Sequence, residues 1–265
     1  TYTYETDAYL LAMLLACAAV WCTERLPRLW GYLGAAVCLC GCLALYQSYI
    51  QFAVGLYLLL LLQRALQGAE WRHWLRQGVC ALAALALGTA LYLVSLKVSL
   101  AVTGYRLADT GNGLTQLLRL GPAAVLAGIP ATYGSFFKTL LGYSGWNDRG
   151  MRVATALLFV LTAAGLALRL RRRGGRMAAQ VLWAAALPPL GLNVSHLLAS
   201  GNVYILIQHA LFLVYLVPML IFDGAALIPA DWKVGGGTRQ TALRLSDPAQ
   251  YSLRQRRVCL HEACL

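Results

Sequence analysis

Charged side chains are scarce in this sequence: they make up 12% of its 265 residues, while 60% are hydrophobic. A soluble globular domain carries about 25% charged residues, so the composition excludes such a domain for most of the chain. The apolar runs also lack the period-two alternation of a transmembrane barrel and are rich in Leu and Ala. The sequence therefore predicts an all-α membrane protein, in which each span needs about 20 apolar residues.

The apolar runs predict a polytopic bundle of about seven transmembrane helices. We place them at residues 8–22, 30–46, 50–62, 78–102, 151–168, 177–199 and 203–227. Lys and Arg cluster after the first, third, fifth and seventh runs, whereas the second and sixth connections hold none. By the positive-inside rule, residue 1 faces outward and the C-terminal tail is cytoplasmic. The expected location is the bacterial inner membrane.

One outward segment is much longer than an ordinary connection, for which about 4–6 residues is the median. It runs from Lys97 to Arg152 and carries six Lys or Arg residues. Within it, Gly121-Pro122 and Pro130 cut an apolar stretch into pieces too short to span. We expect short interfacial or re-entrant helices there, and we expect the site in this loop because binding and catalysis concentrate in ordered loops.

The sharpest motif in that loop is an acidic turn over residues 107–113, Leu-Ala-Asp-Thr-Gly-Asn-Gly. Asp109 beside Arg106 at the membrane boundary suits a general base next to a bound phosphate. Gly111 and Asn112 complete the turn and are candidate substrate-binding residues, although Asp-x-Gly-Asn-Gly is also ordinary turn chemistry. Lys138, further along the loop, is a second candidate phosphate ligand.

A second candidate site lies in the predicted turn between the second and third spans. Tyr46, Gln47 and Tyr49 offer hydroxyl and amide groups suited to sugar or phosphate oxygens. They equally fit a belt of interfacial tyrosines. Asp7, near the start of the first span, fits a helix N-cap, and it could also line an outward cavity as a catalytic carboxylate.

Polar side chains also occur inside the last two predicted spans. They are Asn193, Ser195, His196, Gln208 and His209. Intramembrane polar groups carry function by default, and interhelical hydrogen bonding is the competing account. Pro188-Pro189 should loosen the sixth span. The cysteines have no zinc-like spacing, so no metal site is predicted, no organic cofactor is expected, and a divalent metal is left open.

Several stretches together resemble the bacterial and phage membrane glucosyltransferases that modify O-antigen and related surface polysaccharides. They are Tyr-Glu-Thr-Asp-Ala-Tyr at 4–9, Leu-Tyr-Gln-Ser-Tyr-Ile at 45–50, the acidic turn at 107–113, the proline-interrupted sixth span, and a seventh ending near 222–223. The likeness covers roughly residues 1–228. It divides the chain into a glucosyltransferase-like membrane domain over 1–230 and a polar, Arg-rich cytoplasmic tail over 231–265, expected to be disordered.

The resemblance implies a GT-C-like fold and transfer of glucose from a polyprenyl-phosphate donor to a polysaccharide acceptor on the outer side of the membrane. Partners are then the lipid-linked sugar, the acceptor and membrane lipid, with no nucleic acid. The family's principal carboxylate lies in a first outward loop, which would precede residue 1, so we expect a fragment lacking it. The alternative from another class is a transporter or flippase of lipid-linked sugar.

Overall fold

A computed structural model describes residues 6–105, 122–142, 149–171, 175–194, 196 and 209–222. The chain divides into two units, Thr1–Gly224 and Ala225–Leu265, and every described residue belongs to the first. Within the described ranges the regular structure is entirely helical, without a strand, which confirms the all-α class. The acidic turn and the polar tail lie outside the described residues.

Nine α-helices and two 3₁₀ helices occur in the described ranges. The α-helices are α1 Thr6–Arg25, α2 Arg28–Leu45, α3 Ile50–Leu66, α4 Trp71–Thr103, α5 Pro122–Leu141, α6 Arg149–Arg171, α7 Gly175–Ala186, α8 Pro188–Gly191 and α9 Leu216–Phe222. The 3₁₀ helices are Gln47–Tyr49, between α2 and α3, and His209–Tyr215, before α9.

Four helices in the described ranges are long and apolar enough to cross a membrane, as expected of a helical membrane protein. They are Thr6–Arg25, Gln47–Leu66, Trp71–Thr103 and Arg149–Arg171, and Leu29–Leu45 and His209–Phe222 are shorter apolar helices. The count of seven stays a prediction. The fourth helix is longer than expected: its 33 residues extend about 50 Å, well beyond the roughly 30 Å hydrocarbon core.

The sixth predicted span is not one helix, because two prolines interrupt it. α7 ends at Ala186 and α8 starts at Pro188. Proline has no N–H to donate, so the regular hydrogen bonds of the helix are interrupted here. The Leu190 N–H bonds the Leu187 carbonyl at 3.1 Å. The Ala186 carbonyl accepts from the Tyr133 hydroxyl of α5 instead. The predicted loosening of the sixth span at Pro188-Pro189 is confirmed.

The prediction that Pro130 cuts the outward segment into pieces was also wrong. Pro130 lies inside one continuous 20-residue helix, α5. Neighbouring helices can satisfy backbone groups that a membrane proline frees, and α5 has such neighbours in α6 and α8. Asn193, two residues after α8, also contacts α5, because its Nδ2 donates to the Thr132 carbonyl at 3.0 Å. Whether α5 lies at the interface or re-enters the membrane stays a prediction.

The first four helices pack through small side chains. Fully buried residues recur at helical spacing on facing sides of α1 and α2: Ala12, Ala16 and Ala19, and Ala35, Leu39 and Cys42. Small residues let membrane helices approach closely. Gly88 of α4 is a case in point, because a Cβ there would lie 2.5 Å from the Leu39 Cβ. Cys42 is therefore a packing residue in this core.

The first and third connections, both rich in Arg, lie at one end of the bundle, called here the cationic end. Arg64 of α3 pairs with Glu24 of α1, and Gln180 Nε2 of α7 donates to the Ala69 carbonyl at 3.1 Å. Between α3 and α4 the chain reverses at Gly68, whose φ of 82° suits the left-handed end of a helix. The orientation of this end in the cell stays a prediction.

Candidate functional site

Four aromatic rings meet at the end of the bundle opposite the cationic end. Tyr9 and Tyr46 pack edge to face with ring centroids 5.0 Å apart, and Tyr46 packs edge to face on Tyr49 at 5.7 Å. Tyr49 also stacks on Tyr9 at 6.0 Å and on His209 at 5.8 Å. We call these four residues the aromatic cluster, and Tyr49 contacts all three of the others.

The local backbone explains how the predicted turn presents its side chains. α2 ends at Leu45, and Tyr46 is extended with φ −158° and ψ 110°. The Tyr46 N–H still bonds the Cys42 carbonyl at 2.9 Å, and the Tyr49 N–H bonds the Tyr46 carbonyl at 3.1 Å. The resulting 3₁₀ turn directs two tyrosines toward Tyr9, which lies in the first turn of α1. The polar turn predicted from the sequence is confirmed.

Gln47 ties this turn to α4. Its Nε2 donates to the Tyr92 hydroxyl at 2.7 Å, and Tyr92 is 7% exposed. Tyr92 stands 11 residues before the end of α4 at Thr103, so α4 continues about 16 Å past this level. α4 therefore extends well past the turn at this end of the bundle.

Burial separates the roles that the cluster residues can take. Tyr49 is 4% exposed, so it positions its neighbours and has little surface for a ligand. Tyr9, Tyr46, Gln47 and His209 are half-buried and keep accessible surface. Aromatic faces present a flat, weakly negative surface, and hydroxyl, amide and imidazole groups both donate and accept hydrogen bonds. The arrangement is suited to a polyhydroxylated ring with apolar faces, such as a hexose.

The other predicted site residues divide into two groups. Asp109, Arg106, Gly111 and Asn112 lie outside the described residues, and their roles stay predictions. Asp7 is exposed in the first turn of α1, not at its N-cap. It therefore interacts with the N-terminal end of the helix dipole and lies two residues from Tyr9 of the aromatic cluster.

Lys138 lies on α5, facing away from the core. Phe136 and Leu140, two residues to either side, are 1% and 5% exposed, while Lys138 is exposed. A two-residue step turns a helix by about 200°, which puts Lys138 on the opposite face. It can therefore meet a headgroup only at the outer surface of α5.

An apolar cavity of about 210 Å³ lies among α3, α5, α6, α9 and the residues around α8. Aromatic rings and prolines account for much of its wall, among them Phe136, Phe137, Phe159, Pro188, Pro189 and Pro218. Phe136 belongs to the same buried core as Tyr49. An alkyl or isoprenoid chain is the kind of group that such a wall accommodates.

Asn193 and His209, polar residues of the last two predicted spans, lie in different environments. Asn193 is fully buried and hydrogen-bonds α5, as the interhelical account expected. His209 belongs to the aromatic cluster. The sequence indicated only that it is a polar residue within a span. Tyr92 was missed altogether, and the one available signal was a hydroxyl in the middle of a long apolar helix.

Comparison with known proteins agrees with the resemblance read from the motifs. The family model described as glucosyl transferase GtrII matches residues 1–222. Neither the curated proteins nor the solved structures give a match. The matched region contains every candidate site residue discussed above and ends with α9. The chain therefore belongs to the GtrII glucosyl transferase family.

Proposed function

We propose that this glucosyltransferase moves a glucosyl residue from a polyprenyl-phosphate donor to a surface polysaccharide or O-antigen acceptor on the outer side of the membrane. The aromatic cluster carries the proposal, because its rings and the amide of Gln47 suit a hexose. It lies opposite the cationic end, which the positive-inside rule assigns to the cytoplasm. The sugar-binding end would then face outward.

The apolar cavity supports a lipid-linked donor. Its wall around Phe136, Phe159 and Pro218 accommodates part of the isoprenoid chain, while the rest of the chain remains in the bilayer. Arg106, and Lys138 at the outer surface of α5, are the proposed partners of the donor phosphate. No organic cofactor is needed for such a transfer.

In the proposed reaction an acceptor hydroxyl oxygen forms a new bond to the anomeric carbon of glucose. The bond between that carbon and the phosphate oxygen breaks, and polyprenyl phosphate leaves as the anion. A carboxylate takes the hydroxyl proton, and cations stabilise the departing phosphate. Asp109 and Asp7 are the proposed carboxylates of this chain, with Asp109 in a supporting role.

A donor assay distinguishes transfer from transport of the lipid-linked sugar. Membranes of a host without its own glucosyltransferase, containing the product of the entire gene, should incorporate radiolabelled glucose from polyprenyl-phosphate glucose into polysaccharide. Membranes without the protein are the control, as are protein-containing membranes given UDP-glucose in the absence of polyprenyl phosphate. If labelled lipid crosses the membrane without a new glycosidic bond, the protein is a flippase and the proposal fails.

A further inference from the structure

A second cavity, distinct from the aromatic cluster, lies at the cationic end between α1, α3 and α4. Its volume is about 250 Å³, and polar groups form much of its wall: Thr23, Glu24, Arg64, His73, Arg76 and Gln77. The Thr23 hydroxyl lies 3.2 Å from the Tyr57 hydroxyl, also in the wall. We call this space the cationic-end cavity.

The charges around the cationic-end cavity favour an anion. Arg64 is paired with Glu24, so the one carboxylate in the described wall is already neutralised. Arg76 adds a second guanidinium and is exposed. Two guanidiniums and one carboxylate leave one net positive charge, and a guanidinium binds phosphate oxygens in a bidentate manner.

Gln77 favours a ligand that carries a hydroxyl group in addition to a negative charge. Its Nε2 lies 2.6 Å from His73 Nε2, while its Oε1 is buried without a hydrogen-bond partner among the described residues. A buried acceptor left unpaired is costly, and a rotation of the half-buried Gln77 side chain would bring Oε1 to a ligand hydroxyl in the cavity. The same wall therefore offers a cation for phosphate oxygens and an acceptor for a hydroxyl.

We propose that the cationic-end cavity binds a phosphate ester that carries a nearby hydroxyl, of the glycerol phosphate class. Its volume is below the roughly 300–1,000 Å³ of pockets for drug-sized ligands, so its size suits a small headgroup. The source is either the headgroup of an anionic lipid such as phosphatidylglycerol or soluble glycerol phosphate. This site is independent of the proposed transfer reaction at the other end.

Native mass spectrometry of the purified full chain with equal amounts of phosphatidylglycerol and phosphatidylcholine tests the proposal. Phosphatidylglycerol should bind preferentially. Arg76→Gln should weaken that binding about tenfold, the effect of losing one charge-assisted contact. Arg72→Gln removes the same charge one helical turn earlier, outside the cavity wall, and should bind as the unmodified protein does.

Gln77→Leu tests the hydroxyl requirement. It should weaken binding of phosphatidylglycerol and leave binding of phosphatidic acid, which lacks the headgroup hydroxyl, unchanged. Competition with free glycerol phosphate distinguishes the two sources. If glycerol phosphate displaces phosphatidylglycerol at concentrations lower than the lipid needs to bind, the ligand of this cavity is the soluble one. The proposal is overturned if phosphatidylglycerol and phosphatidylcholine bind equally well, or if Arg76→Gln and Arg72→Gln weaken binding equally.

The unmodified protein provides a second readout, so the test does not depend on how the variants fold. Cys80 lines the cavity, and Cys40 instead contacts Ser95 at 3.9 Å. Alkylation of Cys80 by N-ethylmaleimide should be several-fold slower in phosphatidylglycerol vesicles than in phosphatidylcholine vesicles, while the rate at Cys40 stays the same. Equal Cys80 rates in the two vesicles, with no slowing by added glycerol phosphate, contradict the proposal.

Discussion

Replacing Tyr49 with alanine should lower kcat/KM for glucose transfer at least tenfold. The ring of Tyr49 contacts Tyr9, Tyr46 and His209, so its removal disturbs every other member of the aromatic cluster. Aromatic pairs contribute about 0.5–1.5 kcal/mol each beyond the area they bury, and three pairs are lost together. Initial rates of the product of the entire gene at varied donor concentration, normalised to the amount of folded protein in the membrane, measure the effect.

Two further variants separate the aromatic cluster from general damage. Tyr49→Phe keeps the stacked ring and should stay within about twofold of the unmodified enzyme. Phe212→Ala removes a ring that is 65% exposed from the same 3₁₀ helix as His209, and it should leave transfer unchanged. Normal kcat/KM in Tyr49→Ala, or an equal loss in Phe212→Ala, would remove the cluster from the site.

In the product of the entire gene, replacing Asp109 with asparagine should lower the transfer rate by about 10–100-fold without lowering the amount of folded protein. General-base assistance is worth about 10²–10⁴-fold, and a supporting carboxylate falls at or below the low end. Asn shapes an Asx turn as well as Asp does, so the substitution removes the charge and keeps the turn. Single-turnover rates with bound donor measure this effect. Near-normal turnover would show that residues 107–113 form only a turn.

The helices of the first half could be predicted from the sequence because each is one uninterrupted apolar run. α2 and α3 begin and end within a few residues of the predicted bounds, and the turn at Tyr46 follows from polar residues between two such runs. α5 and α7 could not be placed in the same way. Pro130 and Pro188 look alike in sequence, yet one is accommodated within a helix and the other ends it.

The candidate site was predicted in part. Tyr46, Gln47 and Tyr49 were identified because they are polar groups at a helix boundary. Their partners were not, since the stacking of His209 on Tyr49 and the bond from Gln47 to Tyr92 join distant parts of the chain. Such contacts depend on how helices pack, and periodicity carries no information about which helices become neighbours. The interpretation of an interfacial tyrosine belt predicted an accessible ring at position 49, whereas Tyr49 is buried.

The orientation of the aromatic cluster tests the account most directly, because transfer on the outer side requires that end to face outward. Ser48→Cys places a thiol in the 3₁₀ turn of the cluster, and Gln67→Cys places one in the connection at the cationic end. In intact spheroplasts a membrane-impermeant maleimide should label the Ser48→Cys protein above the unsubstituted background. The Gln67→Cys protein should be labelled only after permeabilisation. The opposite pattern, with Gln67→Cys labelled from outside and Ser48→Cys protected, would contradict an outward glucosyl transfer site.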